Sequence, residues 1–271
     1  MTGQEPTLEA ASYGAGVQST ALMVLRAQRK ITPNLFIFAN VGDDSEHPDS
    51  LAYFRDVATP YAAEYGIELV EVHKTWKRGE RANKRETLRS RLASGRTAIP
   101  VRRTKDGPPM SRSCTADFKI APIGAELRRR GATAENPARV ALGISVDEIE
   151  RAKPGIDPRS PYQERVYPLL DLGLRRVDCL RIIADAGLPV PGKSSCYFCP
   201  YHSDEAWRLL RAGRLDLFED AEKIEAHLSA SSSDGRPVFL TRHGRPLGEV
   251  IDGRQGTFDG MDGCESGWCM T

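Results

Sequence analysis

The sequence predicts a doubly wound α/β fold with a mostly parallel sheet, followed by a C-terminal helical and cysteine-rich appendage. Three observations lead there. A glycine-containing loop at residues 12–20 joins a short, mostly apolar run to a helical segment. The run at 35–39, Leu-Phe-Ile-Phe-Ala, is continuously apolar, as suits a strand covered on both faces. Strand-like and helix-like segments then alternate, which is the pattern of a parallel sheet carrying helices on its faces.

The first strand is expected at 8–11. It enters the loop Ser12-Tyr13-Gly14-Ala15-Gly16-Val17-Gln18-Ser19-Thr20, and a helix follows over 19–30. Glycine lets backbone N–H groups approach an anion closely, and a helix N-terminus adds unpaired donors and partial positive charge. The loop is therefore a natural phosphate seat, with an ordinary tight turn as the other reading. It is not a Walker A loop, because no Gly-Lys-Ser/Thr follows it. Beyond the second strand, the polar stretch 40–48 lies at a strand's carboxyl end, where open α/β sheets bind ligands. Asp43 and Glu46 in it could instead cap a helix. A helix is expected over 48–65, interrupted or restarted at Pro60, and a third strand over 67–72.

The periodicity breaks at 74–112. That segment holds thirteen Lys or Arg against three Asp or Glu, an excess of ten. With a net charge of +1 overall, the remainder stands at −9. A short helix over 83–93 is expected inside it, and Trp76 sits among the basic residues, placed to stack on a base. Two readings remain open: a surface for nucleic acid or another polyanion, DNA or tRNA among them, and a solvated insertion that pairs with the acidic remainder.

A helix is next expected from Ser111 to Arg130, a strand over 138–142, and a helix over 175–186 carrying Cys179. Two amphipathic segments, 203–212 and 215–228, suggest a helical pair. A flexible linker over 229–235 and a hairpin pairing 238–241 with 246–250 complete the pattern before a glycine-rich tail. The domain division expected is 1–173, a nucleotide-binding core with the basic insertion, and 174–271. Apolar residues make up 40% and charged residues 28%, and no stretch approaches the roughly 18 apolar residues of a membrane span. The first residues show no secretory signal, so a cytoplasmic location is expected, with no membrane partner. Six cysteines in such a chain point to metal ligands or redox groups rather than a disulfide scaffold.

The pattern Ser-x-Gly-x-x-x-x-Ser-Thr at 12–20 resembles the PP-loop of the ATP pyrophosphatase, or adenine nucleotide α-hydrolase, superfamily. Two further segments resemble signatures of its phosphoadenosine-phosphosulfate-reductase-like branch: Cys114-Thr115 through Lys119-Ile120 to Pro122, and Gly143-Ile144-Ser145-Val146-Asp147-Glu148 to Arg151. Val41-Gly42-Asp43 matches a third signature only partly, since Asn40 stands where the reductases have Asp. With Cys196-x-x-Cys199 behind them, the set is similar to the DndC family of DNA-phosphorothioation enzymes. The resemblance implies that Ser12, Gly14, Gly16, Val17, Gln18, Ser19 and Thr20 hold the pyrophosphate of ATP. Asn40 and Asp43 would contact the adenosine; Gly143, Ser145, Asp147 and Glu148 would complete the nucleotide site. Asp147 or Glu148 could hold Mg²⁺ or a ribose hydroxyl, or, with Arg151, begin a helix that carries an i,i+4 ion pair. Lys119 and Arg151 would stabilise charge during catalysis.

Cys196 and Cys199 can share one metal or cluster but need two more ligands. Cys114 and Cys179 would complete a [4Fe–4S] cluster, as the resemblance implies. Cys264 and Cys269 would instead complete a structural Zn²⁺ site. If the cluster takes the first four, Cys264 or Cys269 on the tail could attack or carry sulfur, as the loosely similar tail of sulfonucleotide reductases does. The expected activity is ATP-dependent, pyrophosphate-releasing sulfur transfer to nucleic acid, with a sulfur donor such as a cysteine desulfurase. The alternatives are a thiol-dependent sulfonucleotide reductase and a nucleotide- or nucleic-acid-binding module without turnover.

Overall fold

The structure, a computed structural model, describes residues 7–252 apart from 77, 78, 81 and 154. The tail glycines, Cys264 and Cys269 lie outside the described residues. In chain order the elements are β1 (Glu9–Tyr13), α1 (Val17–Ala27), β2 (Leu35–Asn40), α2 (Pro48–Ala52), α3 (Thr59–Glu64) and β3 (Glu68–His73). Then come α4 (Leu88–Ala93), α5 (Ser113–Thr115), α6 (Ala121–Arg129), β4 (Ala138–Ala141), β5 (Gly155–Ile156) and β6 (Gln163–Val166). The last are α7 (Pro168–Asp171), α8 (Arg176–Asp185), α9 (Asp204–Gly213), α10 (Leu215–Ala230) and α11 (Leu247–Asp252).

The chain forms two compact units. Unit 1 comprises Met1–Asn40, His47–Lys74 and Lys119–Ser194; unit 2 comprises Val41–Glu46, Thr75–Phe118 and Ser195–Thr271. The boundary expected at 173/174 is replaced by an interleaved one. Helix α8 belongs to unit 1 because Cys179 and Ile183 pack into the same core as Leu22 and Leu25 of α1.

Unit 1 is built on a six-stranded sheet of order β3-β2-β1-β4-β6-β5, parallel except for the short β5–β6 pair. All six residues of β2 are buried, which explains its unbroken apolar run. Phe36 and Phe38 face a core shared with Tyr13, α1 and α8, where Phe38 stacks on Phe54 at 4.4 Å. Leu35, Ile37 and Ala39 face the opposite core, with Ala10, Val140 and Leu127 of α6. Helices thus cover both faces, as doubly wound sheets require. Strand β6 escaped the sequence reading because Gln163-Glu164-Arg165-Val166 is half-exposed and mostly polar. At Pro60 the helix does not break. The turn Tyr53–Ala58 widens to π geometry, and the Thr59 hydroxyl donates to the Phe54 carbonyl at 2.8 Å.

Unit 2 packs α4, α9, α10 and α11 around Phe118, Phe198, Trp207 and Phe218. Three expectations are corrected here. The helix expected over 83–93 begins only at Leu88, since Asn83 is left-handed (φ 63°) and the Thr87 hydroxyl caps the helix by accepting the Ser90 N–H at 3.0 Å. The linker at 229–235 is a tight turn: α10 runs to Ala230, and Asp234 binds Arg103 and Arg236. The hairpin over 238–250 does not form. Phe239 pairs instead with Arg102, and 247–252 is helix α11, whose first amide is held by Glu225 Oε2 at 2.9 Å.

Candidate nucleotide site

β1 lies between β2 and β4, so the chain's order reverses across the β1–β4 pair. Open parallel sheets bind ligands at such a switch point, outside the carboxyl ends of the strands. Two loops meet there. One leaves β1 through Gly14-Ala15-Gly16 into α1; the other leaves β4 through Gly143 toward the 3₁₀ turn Val146–Arg151. A Cβ placed on Gly143 would stand 3.0 Å from the Ser19 amide nitrogen and 3.1 Å from the Gln18 carbonyl carbon. The absence of a side chain is what lets the second loop lie against the first turn of the helix.

The first loop is organised to point amides outward. The Ser19 hydroxyl accepts the N–H groups of Gly14 and Gly16, both at 3.2 Å, and donates to the Gly16 carbonyl at 3.0 Å. The Thr20 amide makes the first helical bond, to the Gly16 carbonyl. Among the described residues, the amides of Ala15, Val17, Gln18 and Ser19 have no protein acceptor. Ala15 is left-handed (φ 54°) although it carries a Cβ, a conformation found where successive amides form an anion-binding concavity. The first turn of α1 holds no acidic residue. Burial of the ring raises the Tyr13 phenol pKa strongly, so it stays protonated, 3.3 Å from the Thr20 hydroxyl.

Side chains from three further segments close on this loop. Gln18 Nε2 donates to Glu148 Oε2 at 3.2 Å, and Arg176 at the start of α8 donates to Gln18 Oε1 at 3.2 Å. Glu148 also pairs with Arg151 at 2.6 Å, while Asp147 accepts the Arg176 amide at 2.5 Å. The ion pair of this turn therefore joins Glu148 to Arg151 at i,i+3, in place of the i,i+4 pair expected, because Asp147 is taken up by the Arg176 amide. Ser194 donates its hydroxyl to the Gly14 carbonyl. Two buried atoms here lack a partner among the described residues: the hydroxyl of Ser145, a fully buried side chain, and Nε of Arg151. Buried polar atoms are rarely left so, and their presence beside unpaired amides marks a place for a polar ligand.

The structure thus brings Gly14, Gly16, Val17, Gln18, Ser19 and Thr20 together with Gly143, Asp147, Glu148 and Arg151. Ser12 is a buried residue of β1 itself, facing the α6 side by strand alternation. Asn40, at the end of β2, is buried and donates to Glu71 at 2.6 Å. Asp43 belongs to unit 2, where it pairs with Arg85 at 3.1 Å. Lys119 is half-buried on the π turn Ala116–Ile120. Arg176 and Ser194 were missed by the sequence reading; neither belongs to a local motif, and contacts across 158 and 180 residues bring them in.

The four cysteines expected to hold a cluster form no metal-binding group among the described residues. Cys179 is fully buried among apolar side chains of α1 and α8 in unit 1, whereas Cys114, Cys196 and Cys199 belong to unit 2. Burial pushes the Cys179 thiol up to about 11. Among the described residues, no three His, Cys, Asp or Glu side chains form a metal-binding group. In the Cys196–Cys199 loop the two intervening residues, Tyr197 and Phe198, are buried in the unit 2 core and the two thiols stay half-exposed. Replacing Cys179 by Ser is expected to destabilise unit 1 by about 1–3 kcal/mol, because a hydroxyl would be buried without a partner. Urea unfolding measures this. Metal content of Cys179→Ala should equal that of the parent chain.

The basic segment makes ion pairs of the kind that one of its two readings expects. Arg89 forms a bidentate pair with Asp220, Arg91 pairs with Glu86 and Asp117, and Arg103 pairs with Asp234. Leu88, Leu92, Ile99 and Val101 are core residues. The segment is a structural part of unit 2, in which Arg85, Arg89, Arg91 and Arg103 have carboxylate partners. Lys84, Arg96 and Lys105 stay exposed without an ion pair among the described residues.

No helix among the described residues is long and apolar enough to cross a membrane. No protein-family model and no curated protein matches the sequence. Among solved structures, the chain is similar to the U34-tRNA thiolase NcsA from Methanococcus maripaludis with its [4Fe-4S] cluster, at 18% identity and a TM-score of 0.41. That likeness covers 90% of this chain and 69% of the other, and at this level it carries no argument about activity.

Proposed function

We propose that the Gly14–Thr20 loop of unit 1 holds the pyrophosphate of an adenine nucleotide, and that the chain is an ATP-dependent, pyrophosphate-releasing sulfur-transfer enzyme acting on nucleic acid. One observation carries the nucleotide reading. Four unpaired amides at the start of α1 face the switch point of a parallel sheet, with Gly143 pressed against them and the partnerless Ser145 hydroxyl nearby. Such fixed donors stabilise charge on a departing pyrophosphate without reorganising during the reaction. Arg151 and Arg176 add cations beside them, and Glu148 holds Arg151 in place until phosphate competes for it. A magnesium ion would come with the nucleotide, since this ion usually keeps its waters and takes few protein ligands. Sulfur transfer and the nucleic-acid substrate rest on the sequence resemblance and on the half-exposed Cys196 and Cys199 thiols.

The test is pyrophosphate release from ATP, with and without DNA or tRNA, run beside a sulfite assay on adenylyl sulfates. Release stimulated by nucleic acid supports the proposal. Sulfite without pyrophosphate would replace it with a sulfonucleotide reductase, and tight nucleotide binding with neither product would reduce it to a binding module.

A further inference from the structure

The phosphate loop lacks a lysine or arginine of its own: none occurs from Ser12 to Thr20. Of the cations beside it, Arg151 is engaged by Glu148 and Arg176 by the Gln18 carbonyl oxygen. A nucleotide's phosphates carry several negative charges, which backbone amides alone neutralise only in part. Fuller neutralisation requires a further cation close to the loop.

The segment between α8 and unit 2 brings one. It is pinned at two points. Tyr53 donates its hydroxyl to the Pro189 carbonyl at 2.9 Å, and Ser194 donates to the Gly14 carbonyl inside the loop. The fit at the second point is close, since a Cβ on Gly16 would stand 3.4 Å from the Ser194 Cβ. Between the pins, Gly192 and Lys193 are exposed, and a Cβ on Gly192 would meet nothing within 4 Å. Lys193 thus has its backbone fixed one residue from a loop contact and its side chain in the open. No ion pair engages it among the described residues. A lysine ammonium on its four-carbon stem is a mobile point charge suited to phosphate.

We propose that Lys193 is a phosphate-binding residue of this site, with Ser194 as the positioning residue that docks it on the loop. The lysine that a Gly-Lys-Ser loop carries in its own sequence arrives here in Gly192-Lys193-Ser194, from 180 residues further along the chain. This rests on the reading of the loop as a pyrophosphate seat. The ligand class is a nucleoside polyphosphate or pyrophosphate, bound through its phosphates.

Calorimetric titration of the full chain with inorganic pyrophosphate and with MgATP tests the assignment. Lys193→Ala is expected to weaken both ligands on the order of tenfold, the loss of one charge-assisted contact. Lys193→Arg should stay within about threefold of the parent, because the charge is kept. Ser194→Ala should weaken binding less than Lys193→Ala. Lys30→Ala, beyond the far end of α1 and roughly 16 Å or more from the loop, should change nothing. Equal affinity of the parent chain and Lys193→Ala would overturn the role of Lys193 and leave the loop reading standing. A parent chain that binds neither ligand would remove the loop reading and this role with it.

Discussion

Replacing Gly143 with valine is expected to abolish binding of ATP and pyrophosphate while the sheet of unit 1 stays folded. Gly143 lies beyond β4, so its substitution buries no misfit inside the sheet. A single Cβ there already reaches 3.0 Å from the Ser19 amide nitrogen and 3.1 Å from Gln18 backbone and side-chain carbons. Two further methyl groups force the loop and the first turn of α1 apart. Amides aimed at a phosphate lose most of their value when displaced, and misplacement by about 1 Å costs on the order of 100-fold. Titration calorimetry with both ligands, beside a thermal melt, reads the two effects separately. Parent-like affinity in Gly143→Val would contradict the placement of the ligand between the two loops. The backbone here needs no left-handed conformation, so the requirement for glycine is one of space alone.

The second large effect concerns unit 2. Glu225 of α10 is buried, with Oε2 accepting the Leu247 amide and Oε1 lacking a partner among the described residues. Burial, with Glu222 and Glu249 nearby, pushes its carboxyl up to about 8 from an ordinary 4.5. A carboxyl whose folded pKa is raised binds a proton on folding. Its favourable contribution is complete below pH 4.5 and is lost as the pH rises through about 8. At roughly 1.4 kcal/mol for each pH unit of that window, the change across it is on the order of 5 kcal/mol. Glu225→Gln keeps an acceptor for Leu247 and removes the charge. The variant is expected to match the parent near pH 4.5, to exceed it in stability at pH 8, and to show a flatter profile. Urea unfolding followed by tryptophan fluorescence, which reports Trp207 in the same core, measures this at both pH values. An unchanged slope between them would place the proton elsewhere.

Much of unit 1 was legible because its signals are local. The run Leu35-Phe36-Ile37-Phe38-Ala39 reads as a covered strand and is one, and the Gly14–Gly16 turn lies between strand and helix as expected. The 3₁₀ turn with Asp147, Glu148 and Arg151 lies against that loop, joined to it by the Gln18–Glu148 hydrogen bond. Unit 2 was harder. Val238 to Val250 alternates like a hairpin, yet Phe239 takes Arg102 as its pairing partner and Glu225 caps a helix at Leu247. The basic stretch looked open because its carboxylates, Asp220 and Asp234, lie far away in sequence.

The sequence by itself determined the sheet's central strands, the helix that follows the first of them, and the loop between, because each depends on residues within one or two turns. It also marked the Cys196–Cys199 pair by spacing. Only the tertiary structure decided which cations are matched, that Cys179 is buried in the core of unit 1, and that Ser194 reaches Gly14. Those outcomes depend on burial and on partners more than a hundred residues away. Long-range packing sets them, and no local pattern of residues records it.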